Sequence, residues 1–245
     1  MKLGMPDHDF GKMENHLEVI AKSYDRSVDL GRKGIDIYTN LPEYITNDPD
    51  YSTFQKCRAE GDDSSSGRKD IRDYLSPATD MKFIDLGCCL NLMFNGYDNW
   101  PSLYHGVDIS NETINLLHEF IAKKNLHIGS LFCGSVHKTP FEDSSFDIGA
   151  CIGVFEYFKR SFVEKVLIEA YRIMKPCGQF VLDAPNNENS MRRFMNLIEE
   201  YMGRPVRFDI SPHEFEDILQ NYFDIDKKDE LNDVAMIQYF LRRKK

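Results

Sequence analysis

Two carboxylates and two glycine turns stand out as residues able to do chemistry together. Asp85 and Gly87 close an apolar run at 82–87, and Asp108 closes a second run 23 residues further on. An acid at such a position can accept both hydroxyls of a ribose, and a glycine turn lets bare backbone approach a nucleoside closely. A third turn, Gly134-Ser135-Val136, follows the next apolar run. Taken together the three turns suggest a ligand that carries a nucleoside. Further along, Glu156 and Tyr157 follow another apolar run, and His137 and His213 lie in polar surroundings. These are the side chains of a type that can move a proton. Phe155, Tyr157 and Phe158 supply aromatic faces that suit a pocket wall, a cation or a core.

Such side chains meet only if the chain forms a sheet whose strand ends share one edge. From about residue 82 onward, short apolar runs alternate with helical patterns, which predicts an α/β fold with a mostly parallel sheet. The strands are expected at 82–87, 104–110, 126–134, 146–155 and 178–185. Ser110 is placed to cap a helix over 111–124, where Ile114, Leu117, Phe120 and Ile121 recur at helical spacing. Phe162, Val163, Val166, Leu167, Ala170, Ile173 and Met174 trace one face of another helix, ended by Lys175-Pro176-Cys177-Gly178. Two more helices and two more strands are expected beyond it. Ser211-Pro212-His213-Glu214 has the form of a capping box with proline at the first helical position. The last strand, over 234–243, follows 223–233 so closely that the pair reads as an antiparallel hairpin.

Residues 1–80 have a different grammar. Met13, Leu17, Ile20, Ala21, Tyr24 and Val28 recur at helical spacing, and 70–75 predicts a short helix. Between them the polar run 60–67 reads as a surface loop. The chain therefore divides into a helical N-terminal extension, 1–80, and an α/β domain, 81–245.

Composition narrows the function. The 245 residues carry 30 basic and 40 acidic side chains, a net charge of −10, with 42% apolar and 29% charged residues. That balance disfavours a grip on nucleic-acid phosphates or on an anionic membrane, and favours a small-molecule partner. No apolar run approaches the ~20 residues needed to span a bilayer, and the N-terminus is too polar for a signal peptide. The six cysteines show no metal-ligand spacing, so no metal is expected and the thiols read as reduced, in a cytoplasmic protein. A Gly-x-Gly-x-x-Gly fingerprint is absent after the first strand, which disfavours a nicotinamide-dependent oxidoreductase.

Four stretches, 82–91, 104–110, 133–158 and 169–185, resemble the class I S-adenosylmethionine-dependent methyltransferases, in particular the broad group called type 11. The most specific are Thr139-Pro-Phe-Glu-Asp-Ser-Ser-Phe-Asp147 and Glu169-Ala-Tyr-Arg-Ile-Met-Lys-Pro-Cys-Gly178. The resemblance covers about 80–185 clearly, and the tail to 243 by pattern. It implies a Rossmann-like sheet of seven mostly parallel strands with helices on both faces and an antiparallel C-terminal strand. It also implies methyl transfer from S-adenosyl-L-methionine to a small-molecule acceptor. Asp85 would then hold the methionine amino group, with the backbone of Gly87, Cys88 and Cys89 passing beneath. Asp108 would take the ribose hydroxyls and Ile109 the adenine face. Ser135 and Val136 would meet the adenine edge, and Cys151, Ile152 and Gly153 the methionine side. Glu156 and His137 are the candidate bases.

The first motif of that family runs acid-x-Gly-x-Gly-x-Gly, whereas here Cys89 and Asn91 stand at the second and third glycine positions. A Cys held at positive φ costs ~1–2 kcal/mol. Ser135 stands where relatives commonly carry an Asp. A binding or regulatory protein without chemistry is therefore the alternative reading.

Overall fold

The computed structural model describes residues 7–61 and 68–245. The expected loop at 60–67 lies almost wholly outside them. Helices α1 (Asp7–Arg32), α2 (Glu43–Thr46), α3 (Tyr51–Gly61) and α4 (Lys69–Leu75) lead into β1 (Lys82–Leu86). Then follow α5 (Asn91–Phe94), β2 (Leu103–Asp108), α6 (Asn111–Lys124), β3 (Ser130–Cys133), β4 (Phe146–Cys151) and α7 (Arg160–Ile173). The chain ends with β5 (Met174–Pro185), α8 (Arg192–Tyr201), α9 (Pro212–Leu219), β6 (Phe223–Leu231) and β7 (Met236–Arg243).

The seven strands form one sheet in the order β3-β2-β1-β4-β5-β7-β6. The first five are parallel, and β7 runs antiparallel to both β5 and β6. From β1 the chain first builds outward through β2 and β3, then returns to place β4 on the other side of β1. The strand order therefore reverses between β1 and β4, the point beyond which such sheets open a crevice.

Alternation along the strands separates two cores. Ile84, Leu86, Leu182, Tyr239 and Leu241 join α7 and α9 on one face. Phe83, Tyr104, Val181 and Phe240 join α4 and α6 on the other. A third cluster, with Ile45, Phe54, Phe194 and Ile198, ties α2 and α3 to α8. The amphipathic stripe of α1 feeds the first core through Ile20, flanked by Met13, Leu17 and Tyr24.

Local signals account for the helix starts. Ser110 Oγ accepts from Thr113 N, and Ser211 with Glu214 completes a reciprocal capping box. Three expectations are corrected. The third strand is confined to Ser130–Cys133, because Leu126 N bonds Ile121 O and closes the helix instead. The fourth strand ends at Cys151, where Gly153 at φ 68 turns the chain. Met174 is already paired with Phe146, so the Lys-Pro-Cys-Gly turn sits as an irregularity within β5, with Cys177 at φ 63. The short helices α2, α3 and α5 carry no pattern that marked them beforehand.

Candidate active site

The turn after β1 is built by hydrogen bonds to the end of β2. Gly87 N and Cys88 N both donate to Val107 O, at 2.8 and 2.9 Å. Cys89 N donates to Asp108 Oδ2 at 2.8 Å, and Ser110 N to Asp108 Oδ1 at 2.9 Å. Gly87 has φ 74, and a Cβ there would meet Val154 Cγ2 at 2.3 Å, so only glycine fits. Cys89 does adopt a positive φ, 39°. Burial pushes its thiol up to about 12, with the Asp108 carboxylate adding to the shift, so it is no ready nucleophile.

Beyond the strand ends lies a narrow cleft of about 80 Å³. Its floor and sides are Gly87, Cys89, Asp108, Ile109, Gly134, Ser135, Val136, Ile152 and Gly153, with Val154, Tyr157 and Phe158. Asp108 is buried, which pushes its pKa up to about 6 against three backbone N–H groups that favour the charge. A carboxylate has about four acceptor sites, so Asp108 keeps acceptor capacity beyond these backbone bonds. Gly153 presents open space where a Cβ would stand. A flat or charged ligand group can come close to that backbone.

The roof is α1, through Leu17, Ile20 and Tyr24. It is fastened at both sides of the cleft. His16 Nε2 donates to Tyr157 O at 2.6 Å, and Ser23 Oγ to Met202 O at 2.8 Å. Asp25 Oδ1 accepts from Ser110 Oγ and Glu112 N at the start of α6, and Arg32 pairs with both oxygens of Glu119. The sequence presented Leu17, Ile20 and Tyr24 only as an apolar stripe, so their place in the site was missed.

A second, larger cavity of about 610 Å³ adjoins the first, and the two share Tyr24, Cys89, Gly153 and Tyr157. Its walls mix apolar groups such as Val28, Met93 and Phe94 with Tyr38, Glu156, Glu199 and Arg204. Arg204 is almost wholly buried. It pairs with Glu199 at 3.2 Å, bonds Ser23 and Ser27, and stacks 4.0 Å over the Tyr24 ring. Tyr157 OH donates to Glu199 Oε2 and meets Tyr24 OH at 3.0 Å. Glu156 has its Oε2 sealed from solvent with no partner. Burial, and then the Asp183 carboxylate, raise its pKa. Asp183, buried at the end of β5, accepts from Gly153 N at 2.8 Å and is raised by burial as well.

The sequence-derived candidates separate on this geometry. Gly87, Cys89, Asp108, Ile109, Ser135, Val136, Ile152 and Gly153 meet at the cleft, and Glu156 at the second cavity. Asp85 lies behind the turn, because the period of two puts it on the Phe83 face. There it accepts from Tyr104 OH at 3.0 Å and Asn91 Nδ2 at 3.3 Å. Its burial is complete and pushes its pKa up to about 7. Cys88 and Cys151 are fully buried in the two cores. His137 bonds Ser135 Oγ at 2.6 Å and packs on Phe162, outside both cavities, with its pKa lowered by burial. His213, at the exposed start of α9, pairs with Asp217.

Comparison with known proteins agrees with this arrangement. Residues 84–182 match the family model described as a methyltransferase domain. Over that stretch, about two fifths of its length, the chain is similar to methyltransferase domains. A curated sterol 4-C-methyltransferase of Caenorhabditis elegans is 26% identical over 115 residues, 46% of this chain and 33% of that protein. An uncharacterized protein of Methanocaldococcus jannaschii is 28% identical over 113 residues, 46% of this chain and 44% of the other. The chain thus aligns with less than half the length of either relative. Among solved structures, a geranyl diphosphate C-methyltransferase of Streptomyces coelicolor superposes with a TM-score of 0.65 at 15% identity, over 93% of this chain and 98% of that one. That crystal holds Mg2+, geranyl diphosphate and S-adenosyl-L-homocysteine. The matched stretch, 84–182, includes the cleft-forming ends of β1, β2, β3 and β4. Among the described residues no cluster of His, Cys, Asp and Glu is arranged to hold a metal ion, and no helix is long and apolar enough to cross a membrane.

Proposed function

We propose that this protein transfers a methyl group from S-adenosylmethionine to a small-molecule acceptor. The observation that carries the reading is the shared wall: a cleft suited to an adenosyl group opens, past Tyr24, Cys89, Gly153 and Tyr157, toward a second cavity large enough for another molecule. The residues fit the donor. Asp108 accepts from ribose hydroxyls, Ile109 and Val136 sandwich the adenine, and the Gly153 backbone leaves room for the methionine arm. The donor supplies a sulfonium methyl: the acceptor's lone pair bonds the methyl carbon, and the electrons of the broken carbon–sulfur bond return to sulfur. Glu156, which lines the second cavity and has a raised pKa, takes the proton that the acceptor gives up. Alignment of the two molecules across the shared wall does most of the remaining work, since orientation alone lowers such barriers by ~7–11 kcal/mol. Residues 1–80 act as the cap that completes the site over the 81–245 domain.

No two cysteines are joined, which supports a cytoplasmic setting, and the net charge of −10 argues against a nucleic-acid acceptor. One observation favours the alternative of a binder without chemistry, namely the Cys89 side chain standing between the two cavities. Calorimetry with S-adenosylhomocysteine, followed by labelled-methyl transfer over an acceptor panel, tests both readings. Saturable binding with transfer is expected, and Glu156→Gln should slow transfer while leaving the homocysteine affinity unchanged. Binding without transfer to any acceptor establishes the alternative, and no binding refutes both.

A further inference from the structure

The second cavity has two unlike ends. At one of them Tyr24 and Tyr157, shared with the cleft, stand beside Glu199 and Arg204. The side-chain donors there are committed to one another. Tyr157 Oη donates to Glu199 Oε2 at 2.8 Å, so the 3.0 Å contact between the two tyrosine hydroxyls uses the proton of Tyr24. Ser27 Oγ donates to Ser23 O. Arg204 Nε, Nη1 and Nη2 each have a partner, in Ser23 Oγ, Glu199 Oε2 and Ser27 Oγ. What the tyrosine pair can offer a third molecule is lone pairs. Two carboxylates, Glu156 and Glu199, line the same cavity.

The other end is apolar. Val28 and Gly31 follow Tyr24 at helical spacing along α1 and line the cavity with it. Gly31 comes seven residues after Tyr24, so this end extends about 10 Å along the helix from the shared wall. A Cβ at Gly31 would meet no atom within 4 Å. The remaining walls include Leu90, Met93 and Phe94 at α5 and Leu116 on α6. Leu90 and Met93 are only partly covered by the second core, while Phe94 and Leu116 belong to none of the three. Phe94 is 57% exposed and marks the mouth. Arg32, also on this wall, is held by both oxygens of Glu119. Apolar side chains that face a cavity rather than a core gain most from a ligand that takes them out of water.

We propose that the methyl acceptor is an amphipathic molecule, with an O–H or N–H head beside Tyr24 and Tyr157 and an apolar body lying under α1 as far as Gly31. This rests on the methyltransferase reading and adds the chemical class of its second substrate. Acids do not qualify. A carboxylate or phosphate head brings only lone pairs and negative charge to a wall of lone pairs that already carries two carboxylates. In the transfer, the head oxygen or nitrogen bonds the methyl carbon and the carbon–sulfur electron pair returns to sulfur. The proton displaced from the head passes to Glu156.

The test uses the full chain with four probes. Octanol, octylamine and octanoate share one tail and differ in the head, and butanol keeps the hydroxyl on a shorter tail. Affinities are read by calorimetry in the presence of S-adenosylhomocysteine and again without it. Wild type should bind the better of octanol and octylamine at least tenfold more tightly than octanoate, and that better probe names the head. Octanol should bind at least tenfold more tightly than butanol, since four further methylenes are buried. Gly31→Leu should cut that second ratio below threefold, leaving butanol within twofold of wild type. Phe94→Ser, which changes an exposed side chain, should weaken octanol at least threefold. Neither residue lines the cleft, so both variants should hold the homocysteine within twofold of wild type. Octanoate bound as tightly as octanol and octylamine overturns the proposal, as does equal binding of butanol and octanol or binding of no probe. Gly31→Leu with an unchanged melting temperature and wild-type affinity for octanol also overturns it. Should Gly31→Leu melt early, Phe94→Ser decides, and wild-type affinity for octanol there overturns it. Should wild type bind no homocysteine, the methyltransferase reading fails, while the four probes measured without it still decide the chemistry of the cavity.

Discussion

Replacing Asp85 with Asn tests the electrostatics of the site's foundation. Asp85 is fully buried, has Tyr104 and Asn91 as partners, and faces the further charge of Asp108. Its pKa rises from 3.8 in the unfolded chain to about 7 in the fold, with burial as the main cause. Between those values the folded protein holds a proton that the unfolded chain has released. Raising the pH through this window therefore favours unfolding. About three pH units at ~1.4 kcal/mol each puts the cost at ~4 kcal/mol once the pH exceeds 7, as an upper bound. Asn keeps the shape and an acceptor for Tyr104 OH while removing the charge. Urea unfolding of both proteins from pH 4 to pH 8 should show near-equal stability at pH 4. Asp85→Asn should then gain progressively, by up to ~4 kcal/mol at pH 8. Taking the difference between the two proteins cancels carboxylates that titrate the other way, such as Asp70, which Arg68 helps to hold at about 2. A difference that is flat with pH, or one in which Asn is the less stable at pH 8, would refute the reasoning.

Cys89→Gly relieves a side chain from φ 39 at the junction of the two cavities; it should change stability by no more than ~1 kcal/mol, because relief of strain is offset by backbone entropy, while calorimetry shows tighter S-adenosylhomocysteine binding. Gly87→Ala and Gly153→Ala should part company although both residues have positive φ. The first drives a Cβ to 2.3 Å from Val154 and should cost at least ~2–3 kcal/mol in thermal unfolding. The second meets no atom, should cost only ~1–2 kcal/mol, and should weaken homocysteine binding. Ser211→Ala removes the hydroxyl half of the capping box on α9, leaving the residue-211 N–H on Glu214, and should lower unfolding free energy by ~1 kcal/mol without altering ligand affinity.

What the sequence could disclose follows from what periodicity and spacing can encode. The strands of the sheet were legible because alternation and buried apolar runs are local. The cleft was legible because an acid or a glycine at a strand's carboxyl end reaches the same edge in any such sheet. Side-chain direction was harder. Asp85 ends the same strand that feeds the cleft, yet its pleat sends it to the Phe83 face, and Cys88 and Cys151 likewise turn inward. The stripe on α1 reads identically whether it packs on a core or roofs a ligand, since both bury apolar area. The pair Arg192-Arg193 makes the limit plain. Two adjacent residues of one type meet a buried wall and a surface ion pair, and only the helix phase set by tertiary packing separates them.

The geometry also joins strain to function at one carboxylate. Asp108, which the proposed function assigns to the ribose hydroxyls, already accepts from Cys89 N and Ser110 N. The first bond holds the turn at a φ that Cys tolerates poorly. The second fixes the start of α6, where Ser110 both caps the helix and donates to Asp25 on α1. Floor, flank and roof of the cleft therefore share one hydrogen-bonded chain from Cys89 through Asp108 and Ser110 to Asp25. The ~1–2 kcal/mol stored at Cys89 is comparable to what one charge-assisted hydrogen bond contributes. The Asp108 bond, together with the two backbone bonds to Val107 O, is enough to hold the turn shaped before any ligand arrives. A cleft arranged in advance loses less order on binding, and that is how a turn with two of three glycines replaced can still serve a nucleoside.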